Sequence, residues 1–201
     1  MSDALTDFKK AKEEEYFRKK EQELIEQMRQ RVALETGMQQ LAEATGAADE
    51  EVLLTLYELG YRRETVELLY LVPLVQIAWA NGFVTQGERE QIFEAARIRG
   101  IAEGSPAFAQ LAHWLEKQPS EEFSRQTLHT ISRLMQALPP EQQAASKRDL
   151  LSYCAQVAEV SGGILGFGSR ISHAERAVIE RVAAEVEKGR QAAVKQVLEA
   201  D

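Results

Sequence analysis

Apolar residues recur along this chain at three- and four-residue intervals, with no sustained stretch of strict alternation. Such spacing predicts helices and no sheet. The punctuation agrees, because five prolines and twelve glycines fall between the periodic segments and divide the chain into about eight helices. Asp49 reads as an N-cap of a helix that stops at Gly60, and Ser105-Pro106 opens a helix carrying Trp114. Ser120 caps the next helix, and Pro139-Pro140 separates that from one ending near Ser161. From about Arg63 to Ala80 the chain is almost wholly apolar, which predicts one long helix kinked at Pro73 and ended by Gly82. A helix hydrophobic on every side is buried on every side, so Leu68 to Trp79 is the expected centre of the core, with Trp79 and Trp114 inside. The last helical stretch runs from Ser172 to the C-terminus, with a possible break at Gly189.

The most informative pattern is an internal repeat. Gln76-Ile77-Ala78-Trp79-Ala80-Asn81-Gly82 matches Gln156-Val157-Ala158-Glu159-Val160-Ser161-Gly162. After each loop, Val84-Thr85-x-x-Glu88-Arg89-x-x-Ile92 matches Ile171-Ser172-x-x-Glu175-Arg176-x-x-Ile179. The pattern Ala-x-Ala-(Asn/Asp)-Gly-x-Val-(Thr/Ser)-x-x-Glu-Arg resembles that of the TerB-like helical domains, named for tellurite-resistance proteins. The likeness covers residues 71–101 and, more loosely, 150–188. It implies an all-α helical bundle built on two TerB-like helix-loop-helix repeats, here residues 37–201, behind an N-terminal helical arm of residues 1–36.

In that family acidic loop residues are proposed metal ligands, which would carry over to Asn81, Glu88 and Glu175. The family's loop aspartate is replaced by Asn81 in the first copy and Ser161 in the second, which removes carboxylates that a hard cation needs. Thr85-x-x-Glu88 and Ser172-x-x-Glu175 are also capping boxes, each stabilising a helix start by about 1 kcal/mol. The expectation is therefore capping, with no metal and no cofactor. As a stress-response relative the chain could still bind a cation or small ligand through these loops, which is the alternative reading.

Composition narrows the choices further. A hydrophobic content of 44% with 28% charged residues is that of a folded globular protein. The formal charge of −8, with bases interleaved among acids, argues against nucleic acid as a partner. Cys154 is the single cysteine, which suits a reducing compartment and a core position. The N-terminus lacks an apolar signal region, and the run Leu68 to Ala80 is too short to span a bilayer. A cytoplasmic protein without a membrane span is expected.

Catalytic constellations are not legible. His113, His129 and His173 are scattered singly, and no Cys-x-x-Cys or nucleophile elbow occurs; the chain reads as a non-enzyme. The segment Gly162-Gly163-Ile164-Leu165-Gly166-Phe167-Gly168-Ser169-Arg170 lacks the Lys-Ser/Thr of a phosphate loop. Its Ile164, Leu165 and Phe167 are either tucked onto the core or kept for a partner, as in a helical adaptor.

Function is most legible in the arm, which from Phe8 to about Leu34 is charged, helix-favouring and free of glycine and proline. Glu14 to Arg18 and Glu15 to Lys19 are well-oriented i,i+4 pairs, worth about 0.2–0.5 kcal/mol each, on a helix only marginally stable alone. Phe17, Leu24, Ile25, Met28 and Val32 share one arc, with Glu13, Lys20 and Glu21 around Phe17 and Tyr16 about 100° away. Beyond Leu24 the stripe can dock on the body, whereas the segment from Glu13 to Glu21 cannot bury both aromatics without burying charges, which leaves Tyr16 and Phe17 as interface anchors.

Glu13-Glu14-Glu15-Tyr16-Phe17-Arg18, followed seven residues later by Ile25, resembles the inhibitory segment of the mitochondrial ATPase inhibitor proteins. There a helix with the pattern Glu-Glu-x-Tyr-Phe-Arg wedges between catalytic subunits of the rotary F-type ATPase and blocks hydrolysis. The resemblance implies contacts by Glu13, Glu14, Tyr16, Phe17 and Arg18, extended by Leu24 and Ile25. The long histidine-containing coiled coil of that family is missing here, and the TerB-like body would take its place.

Overall fold

A computed structural model describes residues 2–161 and 171–199, with side chains for residues 12, 15–159 and 171–187. Among the described residues the chain is all α: α1 (Ser2–Thr45), α2 (Glu50–Glu58), a 3-10 turn (Val66–Leu71), α3 (Val72–Ala78), α4 (Gln86–Ile98), α5 (Pro106–Glu116), α6 (Glu121–Gln136), α7 (Pro140–Ser161) and α8 (His173–Glu199).

The helix starts form as their sequences predict. Asp49 Oδ1 accepts from the backbone N–H of Glu51 and Val52 at 3.0 and 3.3 Å. Ser105 and Ser120 each accept from the third residue on, Phe108 and Phe123, at 3.1 Å. Each cap satisfies a donor that would otherwise be orphaned, worth about 1 kcal/mol. From α6, Arg133 reaches Asp49 Oδ2 at 2.6 Å and Glu51 Oε2 at 2.8 Å, pinning the capped end of α2. Desolvation alone would raise the Asp49 carboxyl, but the Val52 N–H and the Arg133 guanidinium outweigh it and hold the group below its usual value.

Leu68 to Ala78 is the centre of the core: Leu68, Leu71, Val72, Leu74, Ile77 and Ala78 are wholly buried, and α3 packs against the 3-10 turn, α4, α6, α7 and α8. It is not one kinked helix. The chain winds as a 3-10 turn to Leu71 and starts afresh as α3, with Pro73 in the first turn. There a missing N–H has no intrahelical carbonyl to reach, so proline opens the helix instead of bending one. Gly82, at φ +86°, closes the segment as expected.

Tyr61 stacks on Phe123 with ring centroids 5.9 Å apart, and Phe123 meets Trp114 at 5.3 Å. Trp114 is buried, whereas Trp79 is only half-buried. The Trp79 indole N–H donates to Trp114 O at 2.8 Å, which satisfies the polar edge of a side chain at the rim of the core. Cys154 is fully buried, and desolvation pushes its thiol up to about 12. The expected break at Gly189 is absent, because α8 runs through that position. One glycine costs a helix about 1 kcal/mol, too little to end it.

Among the described residues, α1 joins the body near its C-terminal end. Leu34 is the first partly covered residue among those described, Gly37 and Leu41 are buried, and the helix packs on α2 and the 3-10 turn. Docking there supplies the nucleus from which the rest of α1 can propagate outward.

Candidate functional site

Two constellations stand out. The first is the outer part of α1. Tyr16, Phe17, Leu24, Ile25, Met28 and Val32 are all exposed, by 42% to 67%. The expectation that the stripe beyond Leu24 docks on the body is therefore corrected. Since α1 continues as one helix until it meets the body near Leu34, its earlier turns cannot fold back onto that body. The uncovered surface is longer than the sequence implied, and Met28 and Val32 extend it by a turn or more.

Tyr16 and Phe17 meet edge to face with centroids 6.0 Å apart, and Lys20 Nζ lies 5.4 Å from the centre of the Tyr16 ring. A cation over an exposed tyrosine contributes about 0.5–1 kcal/mol and limits where the ring points. Among the described residues Glu15 and Lys19 form no ion pair with each other, while Arg31 and Glu35 close theirs at 2.9 Å. Arg18 is exposed beside Phe17. The structure thus sets Tyr16, Phe17, Arg18, Leu24 and Ile25 along a single exposed helix. The side chains of Glu13 and Glu14 lie outside the described residues, as do Ile164, Leu165 and Phe167 of the glycine-rich segment.

The second constellation joins the loop after α3 to the start of α8. Thr85 and Glu88 complete a capping box: Glu88 N donates to Thr85 Oγ1 at 3.3 Å, and Thr85 N donates to Glu88 Oε2 at 2.7 Å. Ser172 and Glu175 repeat it, with Glu175 N to Ser172 Oγ at 3.1 Å and Ser172 N to Glu175 Oε2 at 2.7 Å. Local spacing could not show that Asn81 bridges to the second box. Its Nδ2 donates to Glu175 Oε1 at 2.8 Å, and its Oδ1 accepts from Ser172 Oγ at 3.1 Å. The only forewarning in the sequence was the matching of the two loops.

Both glutamates are buried, Glu88 at 1% and Glu175 at 0% exposure. Desolvation raises the Glu88 carboxyl above its usual value, hydrogen bonds from Thr85 oppose this, and the charge of Glu175 adds to the rise. An amide at position 81 serves this arrangement better than a carboxylate, since it donates to Glu175 where an aspartate would repel it. The carboxylate oxygens that accept from Thr85, Ser172 and Asn81 are committed to fastening the loops. Among the described residues no group of three or more His, Cys, Asp or Glu is placed to hold a metal ion.

His129 Nδ1 lies 3.2 Å from Glu185 Oε1, and His113 and His173 are exposed. Among the described residues no helix is long and apolar enough to cross a membrane. No family model, curated protein or solved structure matches the chain, so its likenesses to TerB-like domains and to ATPase inhibitor segments rest on the residues that carry them.

Proposed function

We propose that this is a non-catalytic regulatory protein of the cytoplasm that binds a larger protein through the outer turns of α1. The observation that carries this reading is the uncovered run of Tyr16, Phe17, Leu24, Ile25, Met28 and Val32 on a helix already joined to a folded body. Exposed aromatics beside arginine are the residue types that anchor protein interfaces. A preformed helix also avoids much of the ordering cost that a disordered segment meets on binding.

The most specific partner is the F-type ATPase, on the resemblance of Glu13 to Arg18 and of Ile25 to the inhibitor segment. In this reading Tyr16 and Phe17 fill pockets between catalytic subunits, Arg18 pairs with a carboxylate at the rim, Leu24 and Ile25 lengthen the contact, and the body blocks rotation by its bulk.

The test is ATP hydrolysis by the detached F-type ATPase of the source organism, with the intact chain and with Tyr16→Ala/Phe17→Ala. An anchoring aromatic is worth about 2 kcal/mol or more, about thirtyfold in affinity. Inhibition should be present with the intact chain and weakened by at least that factor in the variant. No inhibition at micromolar excess would refute the ATPase assignment.

A further inference from the structure

Arg89, Arg99 and Arg133 are the half-buried arginines among the described residues, and they differ in what they face. Arg89 donates to Leu115 O at 2.9 Å, and Arg133 pairs with Asp49 at 2.6 Å and Glu51 at 2.8 Å. The Arg99 side chain has no hydrogen-bond acceptor and no ion pair among the described residues. Its Nε is the one buried side-chain nitrogen or oxygen among them left unsatisfied, while its two Nη groups, equally without protein partners, keep access to solvent. Buried donors are normally paired, so this guanidinium is an exception to account for.

The sequence Arg97-Ile98-Arg99-Gly100-Ile101 fixes where the side chain leaves α4. Gly100, at φ +83°, turns the chain out of the helix, and Ile101 N donates back to Ala96 O at 3.0 Å with its side chain buried. From there the guanidinium reaches two half-buried tyrosines of other elements. Its Cζ lies 5.7 Å from the centre of the Tyr70 ring, in the 3-10 turn, and 5.4 Å from that of the Tyr153 ring, in α7. Attraction to two rings holds the charge in place without giving its N–H groups an acceptor oxygen. The carboxylates nearest in sequence, Glu94 and Glu103, are both taken by Arg97, at 3.2 and 2.6 Å. The C-terminal end of α4 favours a cation beside it, yet no carbonyl there accepts from the side chain.

A guanidinium in this condition has one kind of complement. Its two Nη groups present parallel N–H donors that match two oxygens of a carboxylate or a phosphate. Partial burial strengthens such charge-assisted hydrogen bonds. Because the rings already restrict the long side chain, an incoming anion has less of its freedom to remove. We propose that Arg99, steadied by Tyr70 and Tyr153, binds an oxyanionic group, carboxylate or phosphate, end-on through its Nη pair. The site is separate from α1 and does not rest on the arm's having a partner.

The experiment is an NMR titration of the full chain, labelled with nitrogen-15, in which background chloride is replaced stepwise by inorganic phosphate or by acetate at constant ionic strength. The Arg99 Nε–H resonance, identified by its loss in Arg99→Lys, and the backbone amide of Gly100 should shift saturably, with a midpoint in the millimolar range. The oxyanion with the lower midpoint names the source, a phosphate ester or a carboxylic acid. Arg99→Gln should weaken the Gly100 response at least tenfold, the usual loss for one charge-assisted contact. Arg99→Lys, which keeps the charge and loses the fork, should fall between the two. Tyr153→Leu leaves the guanidinium in place without one of its rings and should raise the midpoint by a smaller factor. The remaining amide spectrum of each variant should overlay that of the parent, which separates loss of the site from loss of the fold. No saturable shift with either oxyanion, or a Gly100 response that survives Arg99→Gln unchanged, would overturn the proposal.

Discussion

The ring of Tyr57 occupies the space where a side chain at position 37 would begin: a Cβ placed on Gly37 would stand 2.3 Å from Tyr57 Cε2. The close approach of α1 to α2 thus depends on a glycine in mid-helix. Gly37→Ala gains about 1 kcal/mol of helix propensity but meets an overpacking cost of about 1–3 kcal/mol. The expected outcome is a loss of up to about 2 kcal/mol in urea unfolding. In a Tyr57→Ala background the same change should stabilise by about 1 kcal/mol. Equal effects in both backgrounds would mean that the contact does not govern the packing.

Asn81→Asp should destabilise the body, since it exchanges an amide that donates to Glu175 Oε1 at 2.8 Å for a carboxylate facing that buried one. Losing a hydrogen bond to a carboxylate costs about 1.5–3 kcal/mol, equivalent to a fall in Tm of roughly 3–12 °C for a chain of this size. Melting curves at neutral pH would test this, and a Tm at or above that of the parent would show the bridge to be unimportant.

The raised Glu88 carboxyl carries a definite pH signature. A group that holds its proton more tightly in the folded state contributes stability that is full below the unfolded value. That contribution is lost as pH rises through the folded value. Desolvation and Glu175 place the folded value above the usual 4.5. As pH rises from the usual glutamate range toward the raised folded value, the parent should therefore lose more stability than Glu88→Gln does. Parallel melting-temperature profiles for the two proteins would contradict this assignment.

Cys154 should resist thiol reagents in the native protein, because it is fully buried and its thiol is pushed up to about 12, leaving almost no thiolate at neutral pH. A disulfide-exchange reagent should label it only as fast as the body opens, and at once in denaturant. Rapid labelling without denaturant would place the thiol at the surface.

Helix starts were legible because the residues that make them are neighbours in sequence. Asp49, Thr85, Ser105 and Ser120 each accept from an N–H no more than three positions on. Burial of Leu68 to Ala78 was legible for a similar reason, since an apolar run has no face to give to water. Its winding was not, because hydrophobicity does not distinguish a 3-10 turn from an α-helix. Whether proline opens a helix or bends one depends on where the preceding turn stops. The arm's apolar stripe stays uncovered although its spacing is that of a docking face, because amphipathic spacing shows which side of a helix is apolar but not whether anything reaches it. The bridge from Asn81 to Glu175 joins residues 94 positions apart, and no local rule reports such a meeting.

The arm and the body share one unbroken helix, with no glycine or proline between residues 2 and 36. About 30 Å of helix separates Phe17 from Gly37, and each residue contributes about 1.5 Å of length and 100° of rotation. A partner that grips the two aromatics would therefore also set the compass bearing at which the bulk of the molecule stands around the arm. Deleting one residue between them would swing the body by more than a quarter turn while drawing it in by about 1.5 Å. Deleting seven would bring it back to within about 20° of its first bearing and about 10 Å closer. Position around the partner is thereby encoded in a residue count, as the teeth of a key encode which wards it clears.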